Sequence, residues 1–435
     1  MTTFSVSPTS TPLHGNISVP ADKSISHRAA ILASLANGET RIENYLQSET
    51  THATLDCLRA MGASIEQIDA TTLVVRGQGL RGLREPSDVM FCKGSGTTIR
   101  LLAGLCAGQN FFSILDGTPA LKRRPMARVA EPLKMMGAQI LGRDNNRLPP
   151  LAIRGTSRLH GIDYTMNVAS AQVKSAILLA ALFADSPTTV REPSLSRDHT
   201  EKMFQGCGVE LQTSNCESRI SPATNIAIPN SQFTIPSDFS SAAFFIVAAL
   251  IVPGSELRIE NVGVNKTRIG MLDALNAMGA QIKIENEHDE SGEPVADLIV
   301  CASELQGTVV FGEMIPRMID EFPIFAIAAT QANGETVVRD AKELRVKESD
   351  RIATLAQELH KMNARIEERE DGFVITGPTP LRGARVSAHN DHRLAMSLAV
   401  AGLIAEGETI IEGWESVADS FPNFAELLAQ VTEKK

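Results

Sequence analysis

Aromatic residues make up only 4% of this 435-residue chain, with one tryptophan and two tyrosines among them. A surface that stacks nucleic-acid bases needs more of them. Positive charge is not in excess either. The 41 lysines and arginines face 51 aspartates and glutamates, and the formal net charge of −10 argues against a partner made of DNA or RNA. Cysteine is sparse: Cys57, Cys92, Cys106, Cys207, Cys216 and Cys301 form no C-x-x-C pair and no regular framework. That predicts neither a zinc site nor a disulfide scaffold, and points to a reducing compartment. Long apolar runs are missing too, since the most apolar segment, 242–252, is about half of what a bilayer span needs. The opening MTTFSVSPTSTPLHG has neither the basic nor the apolar region of a secretory signal. What these absences leave is a cytoplasmic α/β enzyme, long enough for two or three domains.

Against those absences stands a repeat. A run of small and apolar residues, a turn, a short strand, a polar or basic loop and a second helix ending near Met-Gly-Ala recur about six times, with a period of about 70 residues. The clearest pair is 26–63 and 241–280; further copies start near Ser95, Ser170, Phe322 and His392. Alternating strands such as Thr72-Leu73-Val74-Val75 and Phe373-Val374-Ile375 lie between them. Each copy reads as a small α/β module, and six of them predict a duplicated three-module domain.

The modules carry polar residues where each first helix begins: Asp22-Lys23-Ser24, Gly94-Ser95-Gly96-Thr97-Thr98, Ser170-Ala171-Gln172, Ser237-Asp238, Asp320-Glu321 and Asn390-Asp391-His392. These are N-cap residue types ahead of apolar runs. A helix N-terminus exposes unpaired N–H groups and about half a positive charge, so parallel stacking of the modules would gather several on one face and make it anion-binding. Basic residues recur in the same places: Lys23, Arg28, Arg100, Arg124, Arg128, Lys174, Arg197, Lys347, Arg351 and Arg393. Taken singly, each is more often a solvated surface charge. Taken together, they predict a substrate with more than one phosphate or carboxylate.

Individual motifs narrow this. KGSGTTIR (93–100) lacks the Gly-Lys-Ser/Thr ending of a nucleotide-triphosphate loop, although its glycines let backbone approach an anion; a plain tight turn is an even alternative. In KSISHR (23–28), Ser24 and Arg28 stand four residues apart on one helix face, and His27 reads as structural because nothing nearby completes a triad. On a helix, Lys347 and Arg351 of RVKESDR would share a face with Glu348 beside them. That is a candidate proton donor or acceptor, and equally an exposed helix laced with ion pairs. SRDHTEK (196–202) is too thin a ligand set for a metal, which leaves Arg197 as an anion contact and His199 as an orienting group. In PRMIDEFP (316–323), capping explains one of Asp320 and Glu321 but not both.

The chain resembles the EPSP synthases, the 3-phosphoshikimate 1-carboxyvinyltransferases, along essentially its whole length. The segments that carry the resemblance are KSISHR at Lys23, GSGTTIRLLAG at Gly94, KRRPMAR at Lys122, SAQVKSAILLA at Ser170, SRDHTEKM at Ser196, NKTR at Asn265, MIDEFPI at Met318, ELRVKESDRI at Glu343 and DHRLAMS at Asp391. SAQVK, RDHTE and NKTR resemble the class II branch, noted for glyphosate-tolerant members. The resemblance implies a two-domain inside-out α/β barrel, each domain of three repeated α/β modules, with helix N-termini facing an interdomain cleft that closes on substrate. It implies a discontinuous domain I of residues 1–21 and 234–435 and a domain II of 22–233, with crossings near 19–22 and 233–238. The implied reaction moves the enolpyruvyl group of phosphoenolpyruvate to the 5-hydroxyl of shikimate 3-phosphate through a tetrahedral ketal phosphate, with no metal and no cofactor. By motif, Lys23, Ser24, Arg28, Ser170, Gln172, Arg197, Asp320 and Lys347 would hold shikimate 3-phosphate. Lys23, Gly96, Arg124, Gln172, Arg351 and Arg393 would hold phosphoenolpyruvate. Asp320 would accept the hydroxyl proton, and Glu348 with Lys23 would protonate the enol methylene. A monomer with no membrane or nucleic-acid partner is implied.

The chain departs from the family pattern at Gly94, where many members have Asn, and at Asp419, where some members have a Lys ahead of Ser/Thr-Phe-Pro. Gly96 leaves room beside phosphoenolpyruvate, whereas Leu101 replaces a proline common in glyphosate-sensitive enzymes; the two hints oppose each other. Two other functions fit the motifs less well. An enolpyruvyl transferase acting on UDP-N-acetylglucosamine has Lys-Asn where this chain has Lys23-Ser24, and a reactive Cys in a loop that here reads KRRPMAR. A non-catalytic sensor of phosphorylated metabolites would have no need of Lys23, Asp320, Glu348 and Arg393 together.

Overall fold

Short polar residues open the apolar runs of this protein and make them helices. In the computed structural model, which describes residues 2–433, Asp22, Ser95, Asp238 and Asp391 each accept a hydrogen bond from a backbone N–H in the first turn of the helix that follows. These helices are Lys23–Leu35, Gly96–Ala107, Phe239–Ile251 and His392–Gly402. Ala171–Ala181 and Phe322–Gln331 begin without such a side-chain cap, at Ser170 and Glu321.

The chain divides into two units. Residues Ala21–Ile235 with Glu290–Glu293 make the inserted unit; the residues up to Pro20, Pro236–Asp289 and those from Pro294 onward make the flanking unit. Among the described residues each unit holds three sheets. In the inserted unit, one sheet runs Met90–Phe91, Phe112–Asp116, Leu148–Arg154, Gln139–Gly142. Its first pair is parallel and the other two pairs are antiparallel. The helix Gly96–Ala107 makes the crossover that a parallel pair requires. The same order and directions recur in Asp163–Thr165, Thr188–Arg191, Glu217–Ile220, Leu211–Ser214. They recur again in Gln232–Thr234, Asn37–Glu43, Leu73–Gln78, Ser64–Gln67, where the outer strand comes from the far end of the segment.

The flanking unit repeats this pattern in two four-stranded sheets. One is His14–Ser18, Glu256–Gly263, Glu293–Cys301, Gln281–Glu290; the other is Val309–Val310, Gly334–Val338, Gly372–Gly377, Ile366–Arg369. Its third sheet has three strands: Arg385–Ser387 lies parallel to Thr409–Glu412, and Thr3–Val6 from the start of the chain lies antiparallel on the other side.

Each unit has its own apolar core. Phe239–Ile251 is apolar all round and buried from Phe239 to Leu250, as a central helix must be. Phe421 and Phe424 meet it edge-on or tilted, with ring centroids 5.6–5.9 Å from Phe244 and Phe245. In the inserted unit, Gly96–Ala107 and Ala171–Ala181 approach so closely that a β-carbon on Gly104 would lie 2.1 Å from the Ala176 carbonyl oxygen. A mid-helix glycine weakens a helix, so close packing is the physical reason for it here. Gly104→Ala is expected to destabilise the protein by about 1–3 kcal/mol through overpacking, read as a lower urea midpoint at unchanged slope.

Candidate functional site

None of the thirteen residues that the motifs single out as site residues is exposed: each is buried or half-buried. Solvated surface charges would behave otherwise.

In the inserted unit, Lys23 and Ser24 sit half-buried on the first turn opened by Asp22, whose carboxylate accepts from Ile25 N at 2.9 Å. Arg28 lies one turn deeper. Its Nε donates to Thr200 Oγ1 at 2.7 Å, Nη2 to Ser175 Oγ at 2.7 Å and Nη1 to the Ser24 carbonyl at 2.9 Å. A guanidinium has five N–H donors, and these three bonds fix its plane. Burial draws Arg28 down to about 10, still charged at neutral pH. Burial first, and then Lys23 and Arg28, drive His27 down to about 3, while its Nδ1 is 2.6 Å from Thr54 Oγ1. His27 is therefore a neutral core residue.

A second group gathers around Gly96. Gln172 is held at both ends of its amide: Oε1 accepts from Arg100 Nη1 at 2.5 Å and Nε2 donates to Thr97 Oγ1 at 2.9 Å. A β-carbon on Gly96 would lie 2.7 Å from Arg124 Nη1 and 2.8 Å from Arg100 Nη1. Gly96, Arg124, Gln172 and Arg100 thus form one cradle. Ser170 stands two residues ahead of Gln172, and Arg197 two ahead of His199, whose Nδ1 is 2.7 Å from Glu293 Oε1 in a buried pair.

Lys174 departs from its expected place on an anion-binding face. Its side chain is 1% exposed, with Nζ 2.6 Å from Glu192 Oε1 and 2.7 Å from Glu201 Oε1. Ser196 Oγ donates to the other Glu192 oxygen at 2.5 Å. Burial opposes the lysine charge, but Glu201 and Glu192 outweigh it and raise its proton affinity. The residue is structural because both of its neighbours are buried carboxylates.

In the flanking unit, RVKESDR is not a continuous helix. A 3-10 helix, Lys342–Val346, ends at Lys347, and the helix Arg351–Lys361 begins only after Asp350, which caps it through Ala353 N at 3.1 Å. Arg345 pins the turn by reaching Asp350 and Glu368, each at 2.9 Å. Lys347 and Glu348 therefore project from a turn at a helix mouth. Arg351, 2% exposed, is the hub. Its Nε meets Asp391 at 2.7 Å, Nη2 meets Glu348 at 2.8 Å and Nη1 meets Asp320 at 3.3 Å. Burial disfavours its charge, yet Asp391, Glu348 and Asp320 together lift its proton affinity above the ordinary arginine value. Arg393 lies 3.6 Å from Asp320 and 3.8 Å from Glu321. Asp320, Glu348, Arg351 and Arg393 are thereby assembled from three helix mouths that are far apart in sequence.

The sequence alone assigns no role to Arg268, Ser175 or Thr200, marks Asp391 and Thr97 only as part of helix starts, and counts Arg100 only among the recurring basic residues. Arg268 was inside the NKTR motif and Asp391 inside DHRLAMS, so the signal was present without an assignment. Asp419 is half-buried at the end of the 3-10 helix Trp414–Asp419. Among the described residues, no three His, Cys, Asp or Glu side chains gather so as to hold a metal ion, and no helix is long and apolar enough to cross a membrane.

This protein interleaves guanidiniums with carboxylates at helix N-termini, groups chemically suited to binding anions and moving protons. Its fold is shared with the enolpyruvyl transferase NikO from Streptomyces tendae, at a TM-score of 0.78 and 17% identity over 98% of this chain and 96% of that one. EPSP synthase from Acinetobacter baumannii is nearer, with a TM-score of 0.88 and 41% identity over 99% and 98% of the two chains. The family profile of EPSP synthase (3-phosphoshikimate 1-carboxyvinyltransferase) matches residues 8–428, and the 3-phosphoshikimate 1-carboxyvinyltransferase of Syntrophomonas wolfei is 53% identical over 422 residues, 97% of this chain and 98% of its own. The chain belongs to the EPSP synthase family.

Proposed function

We propose that this chain transfers the enolpyruvyl group of phosphoenolpyruvate to the 5-hydroxyl of shikimate 3-phosphate and releases inorganic phosphate. The observation that carries this reading is the buried assembly of Arg351 with Asp320, Glu348 and Asp391, alongside membership of the family. The inserted unit corresponds to domain II of the family and the flanking unit to domain I. Lys23, Ser24, Arg28, Ser170, Gln172, Arg197, Asp320 and Lys347 hold shikimate 3-phosphate. Lys23, Gly96, Arg124, Gln172, Arg351 and Arg393 hold phosphoenolpyruvate.

In the forward step, the 5-oxygen bonds to C2 of phosphoenolpyruvate as Asp320 takes the hydroxyl proton. Glu348, with Lys23, delivers a proton to the methylene carbon, which becomes a methyl group, and the product is a tetrahedral ketal phosphate. In the second step, a methyl proton returns to the same groups, the C2–O bond to phosphate breaks, and the enol ether remains. Arg351 and Arg393 suit the carboxylate and phosphate because a planar fork can grip two oxygens at once. The same reading makes the protein a cytoplasmic monomer acting on two small anions, and its six free thiols fit a reducing compartment.

The deciding experiment mixes the purified protein with both substrates and a chelator and measures phosphate. Release that needs both substrates and survives chelation supports the reading. Release with UDP-N-acetylglucosamine instead of shikimate 3-phosphate, or none with either acceptor, overturns it. Gly96→Ala gives a finer check. The added methyl group drives Arg124 and Arg100 outward, so KM for phosphoenolpyruvate is expected to rise about tenfold, the scale of a modest overpacking penalty. KM for shikimate 3-phosphate should change far less. Equal rises in both would break the assignment of Gly96 and Arg124.

A further inference from the structure

Glu321 sits next to Asp320 in sequence but is turned the other way. Its side chain is 0% exposed, and although it occupies the N-cap of Phe322–Gln331 it makes no capping hydrogen bond. Its Oε1 instead accepts from Ser240 Oγ and from Arg268 Nη1 at 3.2 Å. Arg268 Nη2 in turn donates to Ser240 Oγ at 2.7 Å and to Asp238 at 2.7 Å. Glu321, Ser240 and Arg268 therefore close a ring of hydrogen bonds, with Arg268 itself 2% exposed. The other Glu321 oxygen, Oε2, is buried without a hydrogen-bond partner. Arg393 Nη1 lies 3.8 Å from the clamped oxygen, while its Nη2 lies 3.6 Å from Asp320. Both separations are too long for hydrogen bonds, so Arg393 is held by charge between two anions, one fixed and one at the reacting centre.

We infer that Glu321, clamped by Ser240 and Arg268, is a positioning residue that keeps Arg393 open to the phosphoenolpyruvate anion by offsetting the pull of Asp320. This rests on the enolpyruvyl-transfer reading. With Glu321 neutral, the pull of Asp320 on the Arg393 side chain is no longer offset by Glu321, and Arg393 collapses onto Asp320 into a direct ion pair. Phosphoenolpyruvate must then compete with that pair for the guanidinium, while the groups that hold shikimate 3-phosphate keep their places. The N–K–T–R motif acquires a purpose in this way: its arginine acts through Glu321.

The test is steady-state kinetics of the full chain with both substrates varied, alongside thermal unfolding. Glu321→Gln is expected to raise KM for phosphoenolpyruvate about tenfold or more, on the scale of a lost charged contact, with KM for shikimate 3-phosphate within about twofold of the parent. Ser240→Ala removes one arm of the clamp and no charge, and serves if Glu321→Gln does not fold. It should raise KM for phosphoenolpyruvate several-fold in the same selective way. A lowered melting temperature with both KM values unchanged in a folded variant would make Glu321 purely structural and overturn the inference, as would equal rises in both. If the parent protein released no phosphate at all, the failure would lie with the proposed reaction.

Discussion

Glu348→Gln and Asp320→Ala are each expected to lower turnover about a hundredfold or more, the usual worth of a positioned acid or base. The glutamine keeps the size of Glu348 and its ability to accept from Arg351 Nη2, now 2.8 Å away, but it cannot carry a proton. The alanine removes the acceptor that lies 3.3 Å from Arg351 and 3.6 Å from Arg393. The two variants should differ in a second measurement. In deuterated water, reversible protonation of the methylene carbon places deuterium in the vinyl group of product. Glu348→Gln should suppress that exchange together with turnover, because the methyl-forming proton has lost its carrier. Phosphate release and mass spectrometry of the product check both claims. Near-normal turnover in both variants would end the assignment of these carboxylates to proton transfer.

The largest loss of stability is expected from Lys174→Met. Its ammonium lies between Glu192 and Glu201, and all three side chains are at most 3% exposed. Removing one member of a buried charge set leaves the others uncompensated, which costs about 3–5 kcal/mol. In a unit of this size that corresponds to a fall of about 10 °C in melting temperature. The pH dependence carries the sign. In the parent, the lysine's proton affinity is raised on folding, so its contribution is present throughout the range below the unfolded lysine value. The variant should therefore melt below the parent at neutral pH, far below the unfolded lysine value. Thermal melts of both proteins across that range decide it; a variant that melts like the parent would show that the triad contributes nothing net.

Local rules carried much of the fold. Asp22, Ser95, Asp238 and Asp391 were readable as helix caps because capping depends on a few consecutive residues, and all four cap as their type requires. The repeat copies coincide with sheets and helices because apolar periodicity is equally local. Direction was harder to read. Nothing in SAQVKSA distinguishes a lysine that faces an anion from one that faces Glu192 and Glu201, since those partners lie 18 and 27 residues away and become neighbours only through the sheet. Arg351 and Asp391 are 40 residues apart, and Arg268 and Glu321 53. RVKESDR has helical spacing, but Asp350 is a stronger start signal than the spacing is a helix, and the turn wins. The site residues themselves came from the resemblance of whole motifs, which local physics does not supply.

The sheet that pairs Thr3–Val6 with Thr409–Glu412 sets an order of assembly. As the chain leaves a ribosome, the inserted unit has all four strands of each of its sheets once Gln232–Thr234 has emerged to lie beside Asn37–Glu43. The short segment Glu290–Glu293 is still to come, with the Ser291 hydroxyl that accepts from Thr234 N and the Glu293 partner of His199. The flanking unit cannot finish then: Thr3–Val6 has to wait for its partner strand until Thr409–Glu412 is made. Chains arrested near residue 300 should therefore hold a protease-resistant inserted unit next to a digestible remainder, as domains that fold one after another during synthesis do. Closing a loop of that length adds little entropy beyond that of a loop half as long, so the delay is one of time rather than of stability.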